Sequence, residues 1–186
     1  SDVYLDERGQ AIVTPSYFDR GTTDNCNIKQ QKLSQDTFTE LDLGNMVVLY
    51  SAIDNSGNRG LEVLNFKVLD TIKPTARVDR QVRYLDANGQ AQLKVQDIIG
   101  GISDNISIDD ISLSDSLFDC SNLGKSEISV SVTDVAGNQT ITPFYIEIYD
   151  TIKPVLKLKK AVLQIDTAGR AFLFSNQVVD TIIENC

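Results

Sequence analysis

Apolar and polar residues alternate along much of the chain with the period of two that a half-buried strand requires. Ile128-Ser129-Val130-Ser131-Val132-Thr133 alternates strictly, and Phe144, Ile146 and Ile148 mark one face of the segment that ends at Tyr149. Leu93 and Val95 carry the pattern after Gln90, as do Ile111 and Leu113 after Asp109. Turn chemistry separates these runs: Asn88-Gly89, Gly100-Gly101, Asn122-Leu123-Gly124 and Gly137-Asn138. No stretch shows sustained helical spacing. Short strands with turn signals every ~8–12 residues predict an all-β sandwich or barrel.

The same pattern occurs more than once. Asp70-Thr71-Ile72-Lys73-Pro74 recurs 80 residues later as Asp150-Thr151-Ile152-Lys153-Pro154. Leu5-Asp6-Glu7-Arg8-Gly9-Gln10-Ala11 returns at that offset as Leu85-Asp86-Ala87-Asn88-Gly89-Gln90-Ala91, then as Ile165-Asp166-Thr167-Ala168-Gly169-Arg170-Ala171. Asp24-Asn25 returns as Asp104-Asn105 and Glu184-Asn185, and Asp54 to Asn58 as Asp134 to Asn138. Landmarks sharing one ungapped offset define a repeat of a length that suits a small independent domain. The expected organisation is tandem immunoglobulin-like β-sandwich repeats of about 80 residues. Residues 1–75 form a repeat with its first strand incomplete, 76–155 a complete one, and 156–186 the start of a third. Lys73-Pro74 and Lys153-Pro154 mark the junctions, where proline holds the backbone extended. Short stiff links predict an extended array.

Composition narrows the function. Of 186 residues, 41% are hydrophobic and the net charge is −9, which repels phosphate backbones and argues against nucleic acid as a partner. No apolar run approaches the ~20 residues of a membrane span. There is no His, so the commonest general base and zinc ligand are missing. Carboxylates recurring at equivalent positions in every repeat fit a junction role better than one active site, and no enzyme activity is expected. Neither end carries a leader or anchor motif, and both read as cut from something longer.

In a sandwich of this kind, the loop after the second strand and the hairpin joining the last two strands share the pole at which the chain enters. Asp104-Asn105 occupies the first, Asp134 to Asn138 the second, and Asp70 the entering link. Asp70, Asp104, Asn105, Asp134 and Asn138 are therefore expected to converge, with Asp6 supplied by the preceding repeat. Such hard oxygen donors suit Ca²⁺, which takes six to eight of them. Asp86, Asp150 and Asn185 are the counterparts at the next junction, where Glu184 replaces Asp. A second reading also fits: Asp-x-x-Gly-Asn is good hairpin chemistry with no ion.

Cys26 and Cys186 share one repeat position, held by Ile106 in the middle copy; Cys120 holds another, equivalent to Glu40. No repeat carries both, so a disulfide within either larger repeat is not available. Buried thiols are the expectation, with pairing of Cys186 to a residue beyond the chain also open. A thiol nucleophile has no His to activate it.

Leu85 to Ala91, Ser103-Asp104-Asn105, Phe118-Asp119-Cys120-Ser121-Asn122-Leu123-Gly124 and Val132 to Asn138 together resemble the hyalin-type (HYR-like) immunoglobulin repeats of Bacteroidetes surface adhesins. That family includes the SprB-type gliding-motility adhesins of flavobacteria. The resemblance implies cell adhesion, an extracellular, outer-membrane-associated or secreted location, and export by the type 9 secretion system. It also implies a disulfide-bearing ancestral pattern, from which Ile106 and Glu40 depart. The expected role is a structural spacer, whose partners are neighbouring repeats of the chain. The alternative is direct binding of surface polysaccharide or other cell-surface proteins, or service as an accessory module of a secreted enzyme. Against direct binding, aromatics make up only 7% of the chain and Trp is absent.

Overall fold

The computed structural model describes residues 2–186. Strands dominate, and the only α-helices among the described residues are the four-residue turns Pro15–Phe18 and Ser175–Val178. The chain forms two compact units. One comprises Ser1–Val78, Ile98–Leu113 and Ser129–Thr142; the other comprises Asp79–Asp97, Ser114–Ile128 and Pro143–Cys186. These boundaries cut through the middle repeat, because its Asp104 and Asp134 loops belong with the first repeat's residues.

In the first unit, a four-stranded sheet runs in the order Val3–Tyr4, Arg59–Leu69, Gly44–Asp54, Ile28–Leu33. Gln10–Ile12 pairs separately with Thr37–Thr39, placing Ala11 opposite Phe38. Val3, Leu5, Ala11, Val13, Phe38, Val48, Phe66 and Val68 close one apolar core, which Ile106 joins. Phe38 is completely buried, and its ring meets Phe66 edge-on at 5.4 Å between centroids. The Phe38→Ala variant should lose about 3–5 kcal/mol, as expected for emptying a well-packed aromatic site. Urea denaturation followed by circular dichroism would measure it, and a loss below about 1 kcal/mol would contradict this core.

In the second unit, Gln81–Tyr84 runs parallel to the end of the strand Gln139–Tyr149, and Gln90–Gln92 pairs with Leu117–Asp119. Leu85, Leu93, Phe118, Ile128, Phe144, Ile146 and Ile148 are its buried apolar residues. Val155–Leu158 pairs antiparallel with Val179–Ile183.

The pairings repeat with the sequence. Ala11 opposite Phe38 becomes Ala91 opposite Phe118, and Val3 opposite Val68 becomes Arg83 opposite Ile148. Even the bulge between Ile28 and Gln30 recurs between Ile108 and Asp110. The alternation read from Ile128 to Thr133 is borne out, with Ile128, Val130 and Val132 all buried. Leu93 and Val95 differ: the strand ends at Gln92, Leu93 is buried just beyond it, and Val95 opens a 3₁₀ turn, Val95–Asp97. The Asp97 carboxylate accepts the Lys94 N–H at 3.0 Å and thereby closes the turn.

Candidate functional site

The acidic site is built on three backbone devices. The first is the hairpin Asp134–Asn138, where the Asp134 N–H donates to Asn138 O at 3.1 Å and the Gly137 N–H to Asp134 O at 3.1 Å. Gly137 sits at φ +90°, which a side chain would resist. The Asp134 carboxylate accepts the Asn138 N–H and side-chain amide, both at 2.8 Å. Asp54 and Asn58 make the same two contacts at 2.8 and 2.7 Å, so this closure is hairpin chemistry in its own right. The Asn58 amide, with backbone N–H groups, holds the Asp54 carboxyl below its ordinary value.

The second device is the turn Asp6–Gln10. The Asp6 carboxylate accepts the Arg8 and Gln10 N–H groups at 2.9 and 3.1 Å, which lowers its pKa. Its side chain is thus committed to its own turn, and what Asp6 offers the site is its backbone carbonyl. Gly9 is buried, and a Cβ there would lie 2.3 Å from the Asn105 carbonyl oxygen. Only glycine permits that approach.

The third is the loop Asp104-Asn105. The Asn105 amide donates to the Asp6 carbonyl at 3.1 Å and to Asp70 Oδ1 at 2.8 Å. The Asn138 amide donates to Asp70 Oδ2 at 2.9 Å. Carboxylate oxygens of Asp70, Asp104 and Asp134 all lie within 4.8 Å of one another, and Asp70 and Asp134 are buried. The expected convergence of Asp70, Asp104, Asn105, Asp134 and Asn138 is present, with Asp6 contributing through its backbone.

Electrostatically this cluster is incomplete. Two ionised carboxylates 4.8 Å apart repel by about 3 kcal/mol at an effective dielectric of about 20. Burial pushes the Asp104 carboxyl above its ordinary value, and the charges of Asp134 and Asp70 push the same way. Asp104 Oδ1 and Asn105 Oδ1 are buried acceptors with no hydrogen-bond partner. Leaving buried acceptors unpaired costs about 1–3 kcal/mol each. Clustered negative charge and orphaned oxygens are together what a hard cation would satisfy.

At the next junction the frame recurs. The Asn185 amide donates to the Asp86 carbonyl at 3.3 Å and to Asp150 Oδ1 at 3.1 Å, and Asn185 Oδ1 is again buried and unpartnered. The Asp86 carboxylate is spent on the Asn88 and Gln90 N–H groups. Among the described residues, three carboxylates come together only at Asp70, Asp104 and Asp134.

The cysteines correct the sequence reading. Cys120 and Cys186 form a disulfide, which joins the middle repeat to the third rather than lying within one repeat or leaving the chain. Cys26 is an exposed thiol, not a buried one. The corners that present these positions are alike: the Asp119 N–H donates to the Asn122 side chain at 2.8 Å, the Thr39 N–H to Asp42 at 2.9 Å. At the first junction Glu40 stands in place of Cys120, and its carboxylate accepts the Ser107 N–H at 2.6 Å and hydroxyl at 2.9 Å. Ile106, in place of Cys186, packs into the first core. The pair occupies one junction, and neither cysteine position holds cysteine at the other, where Glu40 and Ile106 stand.

No protein-family model and no curated protein matches the chain. Similar solved structures include the fibronectin(III)-like modules of Clostridium thermocellum CbhA, at 14% identity and TM-score 0.29, covering 81% of this chain and 90% of that one. Cadherin domains 1–4 of protocadherin gamma B7 match at 14% identity and TM-score 0.27, over 74% of this chain and 46% of that one. The EC1-2 fragment of human mucin-like protocadherin matches at 9% identity and TM-score 0.31, over 81% and 88%.

Proposed function

We propose that the chain is a run of spacer repeats from a large extracellular adhesin, with its junctions reinforced by Ca²⁺ and, at one of them, by a disulfide. The observation that carries this reading is the repeated junction frame. Asn105 and Asn185, 80 residues apart, bind the preceding repeat's turn carbonyl and the linker aspartate in the same way. A device copied at each boundary serves the boundary. Asp70, Asp104 and Asp134 would hold the ion, with Asn105 Oδ1 as a further ligand. A disulfide is at home in an oxidising, extracellular compartment. The resemblance to hyalin-type repeats of gliding-motility adhesins, exported by the type 9 system to the outer surface, agrees with that location.

Single-molecule stretching of the 186-residue chain tests the role. The expected record shows discrete unfolding events at forces that rise in millimolar calcium and fall in EDTA. A chain that extends without force peaks in either buffer, but is retained reproducibly on a glycan array, would replace the spacer reading with direct polysaccharide binding.

A further inference from the structure

In the second unit, the parallel pairing of Gln81–Tyr84 with the end of Gln139–Tyr149 sets Tyr84 beside Tyr149 and Val82 beside Glu147. Alternation turns Phe144, Ile146 and Ile148 into the core and leaves Tyr145, Glu147 and Tyr149 on the opposite face. Three of the chain's six tyrosines, Tyr84, Tyr145 and Tyr149, thus share one outer face, 61%, 45% and 42% exposed. Four residues of extended strand separate Tyr145 from Tyr149 by about 13 Å.

These rings are exposed yet held. Tyr84 and Tyr149 lie 6.0 Å apart between centroids, at 31° between planes. The Tyr149 hydroxyl donates to the Glu147 carboxylate, which also takes the Arg80 guanidinium at 2.8 Å. The Tyr145 hydroxyl is hydrogen-bonded to Glu127, and Lys125 Nζ stands 3.7 Å from the centre of the Tyr145 ring. The fold does not demand this arrangement. In the first repeat the same strands pair in the same register, with Asn65, Leu69 and Val47 in the places of Tyr145, Tyr149 and Glu127. Only Tyr84 has a tyrosine counterpart, Tyr4, which stays 55% exposed although a complete repeat follows it. A following repeat therefore does not cover this place.

We infer that this face is a stacking platform for a neutral polysaccharide. Tyrosine offers a broad flat surface with few rotatable bonds, against which the C–H face of a sugar ring can lie. The hydrogen bonds to Glu127 and Glu147 orient two of the rings in advance, which lowers the entropic cost of binding. Carboxylates accept from sugar hydroxyls, and the Arg80 and Lys125 side chains donate to them. Charge then selects among ligands that can stack. Arg80 and Lys125 offset Glu127 and Glu147, so these groups leave the face neutral on a chain of net charge −9. Single-stranded nucleic acid also stacks on exposed aromatic rings, but it needs a positively charged track. An acidic polysaccharide lacks a counter-charge here for the same reason. Neither the calcium site nor the spacer role enters the inference: a chain can give calcium-dependent force peaks and still bind a glycan on this face.

The test is native electrophoresis of the intact 186-residue chain through gels cast with hydroxyethylcellulose, galactomannan or dextran, with alginate as the acidic comparison. The expected result is retardation by at least one of the three neutral polymers and none by alginate. Tyr145→Asn and Tyr149→Leu carry the residues that the first repeat's sheet already accommodates, so both should fold, which circular dichroism checks. Each should weaken binding about tenfold or more. Tyr145→Phe keeps the ring and should retain most of the binding, and Tyr4→Ala, on the first repeat, should retain all of it. No retardation by any of the three neutral polymers would overturn the platform. So would retardation by alginate alone, unchanged binding when Tyr145→Asn and Tyr149→Leu are combined, or loss of binding in Tyr4→Ala.

Discussion

In EDTA, the Asp104→Asn variant is expected to melt at a higher temperature than the parent protein, and in calcium the order should reverse. The physical reason is the incomplete charge balance of the cluster. The Asp104 carboxyl is pushed up, by burial first and then by the charges of Asp134 and Asp70. For an acid raised in the folded state, its contribution to stability is fullest below the ordinary carboxylate value. It is lost as pH rises through the raised value, so at neutral pH the ionised group is a liability. An amide of the same shape removes that liability, and the parent recovers it by binding a cation. Extracellular modules bind Ca²⁺ with dissociation constants of about 10⁻⁴–10⁻³ M. At about 10 mM calcium the linkage gain is then roughly 1.4–2.7 kcal/mol. For a domain of this size that is a rise on the order of 10 °C. Differential scanning calorimetry on both proteins in both buffers measures it. A parent midpoint indifferent to calcium, together with a variant that melts lower in EDTA, would leave the Asp-Asn geometry as hairpin and junction hydrogen bonding alone.

Reducing the Cys120–Cys186 disulfide should loosen the second unit and leave the first unchanged. The bond spans a sequence separation of 66, and in the chain-entropy account closing such a loop contributes about 4 kcal/mol. Residues from Val155 onward pair with one another, Val155–Leu158 with Val179–Ile183, and reach Asp86 and Asp150 through the Asn185 amide. Without the bond they are expected to become the first site of proteolysis, both under reductant and in Cys186→Ser. The first junction carries Glu40–Ser107 hydrogen bonds in place of the bond and should be indifferent to reductant. Limited proteolysis with mass spectrometry, with and without reductant, reads both outcomes. Equal cleavage after Val155 under the two conditions, or an intact mass showing three free thiols, would contradict the covalent junction.

Most strands, the repeat length and the residues of the acidic cluster are legible in the amino-acid sequence, for two physical reasons. Period-two alternation is a local consequence of the pleat, so Ile128, Val130 and Val132 announce their buried face without any knowledge of their neighbours. A repeated sequence also repeats its hydrogen-bond register, which is why Ala11–Phe38 and Ala91–Phe118 are the same pair. Topology then carries the loop residues Asp104 and Asp134 to the pole where Asp70 enters.

An offset relates equivalent positions, however, and is silent about which non-equivalent positions touch. That Cys120 meets Cys186, and Glu40 meets Ser107, follows from how a corner on one repeat meets the loop of the next, a matter of three-dimensional packing. Composition alone cannot say whether Asp6 offers its carboxylate or its carbonyl. The nearby Arg8 and Gln10 N–H groups decide that by claiming the side chain first.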